Sequence, residues 1–142
     1  MMHAGCEVPN ISFRQGCDAL RNEISKRVEG QFEAWHDPHN NGTYKMIKQE
    51  SSLYQLSRLT GDKKYVDLIN FSFLDNAATG GCDVAACSES QSMSIGDYGT
   101  NYCNIFVLYC NEERCHPFQQ LDYAPATVGK CTEQSPSKCF TV

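Results

Sequence analysis

The chain has 142 residues, 41% of them hydrophobic and 20% charged, with a formal net charge of −5. That length suits one domain with a modest core, and the composition argues against both wholesale disorder and a membrane protein. The longest apolar run, Ile105 to Tyr109, falls far short of the roughly 20 residues a membrane-spanning helix needs, and the twelve Lys and Arg are too scattered to form a footprint for nucleic acid.

In chain order, Met1-Met2-His3-Ala4 reads as an expression start before a mature terminus near Gly5, so the expected domain is 5–142. Gly5 to Gln15 has no periodicity that assigns it a structure. Cys17, Leu20, Ile24, Val28, Phe32 and Trp35 recur every three or four residues, which predicts an amphipathic helix of about five turns, with Asp18 at its positive end and Pro38 stopping it. From Asn41 onward strands and turns are expected. Thr43 to Lys48 and Leu53 to Leu59 suit a hairpin after the turn Asn40-Asn41-Gly42.

Beyond the turn at Thr60 to Lys64, Tyr65 to Leu74 places Ile69, Phe71 and Phe73 on one face and Val66, Leu68 and Leu74 on the other, which predicts a central strand covered on both sides, at least in part. Val84 to Ile95 alternates Ser88, Ser90, Ser92 and Ser94 with Glu89, Gln91, Met93 and Ile95, a polar strand expected near an edge. Gly96-Asp97-Tyr98-Gly99 is turn chemistry, and Cys103 to Cys110 alternates as a central strand would. Asn111 to Val142, with Pro125 and Pro136 and three cysteines, is expected as an irregular tail clamped to the body. The fold class is therefore α+β, one N-terminal helix packed on a four- to five-stranded antiparallel sheet.

Nine cysteines, Cys6, Cys17, Cys82, Cys87, Cys103, Cys110, Cys115, Cys131 and Cys139, are far more than ordinary usage. Without a Cys-x2-Cys knuckle they read as disulfides rather than a zinc site. Nine is odd, so at most four bridges form within the chain, and one cysteine is left for burial or for a covalent dimer. Most lie from Cys82 onward, which predicts a stapled C-terminal half that loosens first on reduction. Three glycosylation triplets begin at Asn10, Asn41 and Asn70. With the cysteines they favour an extracellular, secreted glycoprotein.

The helix Cys17 to Trp35, the strands Leu53 to Leu59 and Tyr65 to Leu74, a cysteine-bearing loop and the run Tyr102-Cys103-Asn104-Ile105-Phe106-Val107 resemble, in order, elements of the cystatin superfamily: its helix, next two strands, disulfide loop and last cysteine-containing strand. The resemblance covers about residues 17 to 110 and is one of architecture. The Gln-x-Val-x-Gly and Pro-Trp motifs of that family's inhibitory hairpins are absent, so papain-type inhibition does not carry over. A lipocalin-like barrel would need about eight strands, more than the chain supplies.

His36-Asp37-Pro38-His39 could ligate a divalent metal, or simply end a helix where imidazoles suit the negative dipole end. His116 follows Cys115, with Asp122 nearby, but neighbours on an extended chain point apart and are not poised for proton transfer. The serines from Ser88 to Ser94, with Glu89, could offer hydroxyls to a ligand or carbohydrate or form a solvated strand face, and the seven tyrosines suit a protein-binding surface or a core with wet edges. No catalytic residue, cofactor or metal is assigned. The expectation is a secreted, non-catalytic binding or inhibitor protein with an extracellular protein partner; the alternatives are a carrier of a small apolar ligand and a metal-assisted enzyme using His36 and His39.

Overall fold

A computed structural model describes residues 4–92, 99–131 and 135–140. Five strands, β1 (Gly5–Phe13), β2 (Thr43–Gln49), β3 (Leu53–Leu59), β4 (Val66–Asp75) and β5 (Cys82–Ser90), form one antiparallel sheet in the order β1-β5-β4-β3-β2. Two helices, α1 (Cys17–Glu29) and α2 (Thr100–Phe106), pack on the same sheet face, giving a two-layer α+β body. Leu20, Ile24, Leu56, Ile69, Phe71, Val84 and Ile105 fill the space between the layers.

The β3, β4 and β5 strands bury alternate residues without interruption. Among the described residues one face alone is covered. β4 is a central strand as expected, but Ile69, Phe71 and Phe73 are buried whereas Val66, Leu68 and Leu74 are exposed, which corrects the expectation of cover on its second face. The reason is that both helices lie on one side.

Further corrections follow from tertiary packing. The segment Gly5–Phe13, unassigned from its pattern, is β1, and Ala4 before it is buried, its carbonyl accepting from the Ser90 amide. β5 is no edge strand but sits between β1 and β4, with Ser88 and Ser90 facing inward. The outer part of the expected strand, Met93 to Ile95, and the turn at 96–98 lie outside the described residues.

Cys103 to Cys110 is not a strand. Thr100–Phe106 forms α2, and the chain then turns, so the run that carries part of the cystatin resemblance is helical. Asn101, Tyr102, Cys103, Asn104 and Ile105 are all buried, and a short helix enclosed on most sides carries no 3.6-residue stripe to tell it from a central strand. Asn104 donates to Asp67 Oδ2 (2.8 Å) and Ser88 Oγ (3.0 Å), while Asn101 accepts from Ser88 Oγ (2.8 Å) and donates to Ser90 Oγ (2.9 Å). These bonds satisfy the serines that the polar alternation had placed in solvent.

Four disulfides join Cys6 to Cys131, Cys17 to Cys82, Cys103 to Cys139 and Cys110 to Cys115. Cys87 is the free cysteine. Every bridge has a partner at Cys82 or beyond, so the C-terminal half is the stapled one. Two bridges nevertheless reach back to β1 and α1, so reduction releases the N-terminal elements as well. The tail runs along the free edge of β1 through Tyr123, Thr127 and Cys131, with Thr127 N–H donating to Asn10 O (2.8 Å) and Glu7 N–H to Lys130 O (2.8 Å). That edge is thereby paired, and the opposite edge, β2, carries a bulge and two lysines, Lys45 and Lys48.

Candidate functional site: a buttressed loop beyond helix α1

The helix α1 ends at Glu29, six residues before the expected Trp35. Gly30 donates its N–H to Lys26 O (2.9 Å), and the amides of Glu33 and Trp35 both turn back to Gly30 O at 3.0 Å. The chain therefore reverses where the apolar spacing continued. Trp35 returns into the core, fully buried, and donates Nε1–H to Cys115 O (2.8 Å). Phe32, which shares the spacing, points the other way and is 63% exposed at φ 66°.

An aromatic residue in the left-handed region costs about 1–2 kcal/mol and persists only where its surroundings fix it. Here they do. On one side of Phe32, Gln31 Nε2 donates to Val28 O and Tyr44 O, both at 2.7 Å, and Gln31 Oε1 accepts from the Tyr44 amide (2.6 Å). On the other side, Asp37 is buried and paired with Arg58, Nε to Oδ2 at 2.8 Å, and accepts from the His39 amide (2.8 Å). Arg58 also donates to His39 O (2.5 Å). Burial pushes the Asp37 carboxyl up, against Arg58 and the His39 and Gly42 amides. For Arg58, burial works downward but is outweighed by Tyr44, Asp37 and Asp67, so its guanidinium is held charged.

A second clamp fixes the neighbouring segment of the tail. Glu23 and Arg27 of α1, both buried, form a pair at 2.8 Å. Arg27 donates its remaining N–H groups to Val107 O and Cys110 O, each at 2.9 Å. The Glu23 carboxylate accepts the amides of Phe118 and Gln119, also at 2.9 Å. One ion pair in a helix thus reads four backbone groups of residues 107–119 and holds Phe118, 42% exposed, beside Gly30.

The two clamped segments meet at the surface. His36 and His116 lie with ring centroids 4.6 Å apart, His116 itself at φ 50°. They line a shallow cavity of about 200 Å³ with Pro38, Asn41, Arg114 and Phe140. Arg114 stacks over Phe140 at 4.1 Å and is paired with Glu112. Burial, and then the neighbouring His36, holds the His116 imidazole below its ordinary pKa, against the pull of Glu113.

The sequence-derived candidates separate here. His36 and His39 do not converge: His39 is buried, while His36 is exposed against His116. Among the described residues no group of three or more His, Cys, Asp or Glu is arranged to hold a metal ion. The Cys115 sulfur is bonded to Cys110. Asn10 and Asn41 are exposed, and Asn70 is half-buried beside Cys87. Phe32, Arg114 and Phe118 were missed. Gly30 was the available signal, since a glycine near a helix end marks a C-cap. No protein-family model, curated protein or solved structure matches this chain.

Proposed function

We propose that this protein is a secreted, non-catalytic binding or inhibitor protein that engages an extracellular macromolecular partner through residues 30–36 and 113–118, beside the Asn41 acceptor. The observation that carries the reading is Phe32, a large apolar side chain displayed to solvent in a strained conformation between two buried anchors. Preorganised aromatic and Arg groups are what tight interfaces use, because little entropy is lost on binding. Four disulfides suit an oxidising compartment, and among the described residues no helix is long and apolar enough to cross a membrane. Exposure of Asn10 and Asn41 supports glycosylation there.

The layer where a carrier would enclose its ligand is occupied by core side chains, which favours a surface-binding role over transport. Pull-down from the native extracellular fluid, comparing the wild type with Phe32→Ala and Phe118→Ala, tests the reading. A specific protein retained by the wild type and lost with Phe32→Ala supports it. Equal retention by all three, or a hydrolase activity abolished by His36→Ala, overturns it.

A further inference from the structure

Among the described residues no helix or strand covers the sheet face opposite the helices. It presents Val66, Leu68 and Leu74 of β4, exposed by 41%, 41% and 70%, with half-buried Leu53 and Leu59 of β3 and exposed Ala85 of β5. Those three β4 side chains lie on one strand of one face, which distinguishes them from scattered surface apolar groups. Cys87 lies on the same face, half-buried and unbridged, while the other eight cysteines are paired.

Strands of 7 to 10 residues, five abreast, cover about 650 Å² at ~3.4 Å per residue and ~4.8 Å between strands. Two such faces together bury about 1,300 Å², within the range of specific stable interfaces. The register also suits self-association. Glu7, Cys87, Asn70 and Gln55 form one row across the sheet, with Leu68 and Val66 two and four residues to one side and Ser72 and Leu74 two and four to the other. A two-fold axis along that row sets Cys87, Asn70 and Gln55 each against its own copy, Val66 against the second copy's Leu74 and Leu68 against its Ser72, while the exposed Glu7 of the edge strand β1 meets its own copy at the rim of the face. On one side of Cys87 its neighbours along the strand and diagonally across it, Ala85 and Ser72, are small and leave room for Glu89 and Leu68 of the second copy, which the axis sets over them. Bridging two facing sheets by a disulfide is established geometry in immunoglobulin domains.

From the apolar face, its area and its register, we propose that the bare sheet face is a homodimer interface, locked by a Cys87–Cys87 disulfide between two copies of this chain. The bond forms by exchange with a small-molecule disulfide. One Cys87 thiolate attacks it and releases one small thiol, and the second Cys87 thiolate attacks the resulting mixed disulfide and releases the other. Two protein thiols become one disulfide, and the small disulfide is reduced to two thiols. Asn70 sits on the axis row, so a glycan there and the dimer exclude one another.

The test is secretion of the full chain from eukaryotic cells, followed by non-reducing mass measurement, peptide mapping and sedimentation. A dimer of twice the chain mass, bridged at Cys87 with unmodified Asn70, is expected. Cys87→Ser should abolish the covalent species yet leave concentration-dependent association, and Cys87→Ser with Leu68→Lys should be a folded monomer at every concentration. A monomer with Cys87 open to alkylation or capped by a small thiol overturns the proposal. So does bridging through another cysteine, a glycan on Asn70 of the dimer, or a Cys87→Ser protein that never associates.

Discussion

Replacing Arg27 by Met is the sharpest test of how the displayed surface is held. The substitution keeps a long apolar stem but removes the bond to Glu23 at 2.8 Å and the two to Val107 O and Cys110 O at 2.9 Å, leaving a buried carboxylate without its cation. Removing one member of a buried pair costs about 3–5 kcal/mol. For a domain of this size that corresponds to a fall in Tm of about 10 °C or more. Urea unfolding measures the loss, and hydrogen exchange locates it: the amides of Phe118 and Gln119, which donate to Glu23, should lose protection before those of β3 and β4. The double variant Glu23→Leu, Arg27→Met should remain destabilised, because the pair serves four backbone groups of the tail that Leu and Met cannot satisfy. A loss below about 1 kcal/mol for Arg27→Met, or full recovery in the double variant, would refute the clamp.

Phe32→Gly should relieve the left-handed strain and stabilise the fold by about 1 kcal/mol while abolishing partner capture; a stability loss would show that Phe32 packs rather than displays. His36→Ala should raise the pKa of His116 toward its ordinary value in an NMR titration. Because the folded His116 pKa is depressed, the native state binds fewer protons than the unfolded chain just below pH 6.5. Stability therefore declines as pH falls from about 6.5 toward the folded value, and the decline should shrink in His36→Ala. Paired Cys→Ser changes should cost about 5 kcal/mol for Cys6–Cys131, separated by 125 residues, and about 2 for Cys110–Cys115, separated by 5, on chain-entropy grounds; equal costs would show that tail packing, not loop closure, sets the effect. Intact mass before and after glycosidase treatment should reveal glycans on Asn10 and Asn41 and none on Asn70.

Local pattern was sufficient wherever one face of an element meets the core and the other meets solvent. The β3 boundaries, Leu53 to Leu59, and the start of α1 at Cys17 follow directly from period-2 and period-3.6 spacing. Cysteine number likewise set a ceiling of four bridges with one thiol left over, and the structure reaches that ceiling. Pattern failed where burial comes from several sides. The segment Cys103 to Cys110 is mostly apolar, with Asn104 the exception, because the sheet and tail surround it, and such a run does not distinguish helix from strand. Ser88 and Ser90 read as solvated in the local pattern because their partners, Asn101 and Asn104, come from a separate element and not from the strand itself.

The loop beyond α1 shows the same division. Spacing alone gives Phe32 and Trp35 one role, yet the turn at Gly30 sends Trp35 into the core and Phe32 into solvent. What the amino-acid sequence determined by itself was composition, the redox chemistry it implies, and the elements whose pattern is local. Which thiol stayed free, which face of the sheet stayed bare and which aromatic is presented were decided by tertiary structure, because each depends on contacts between residues tens of positions apart.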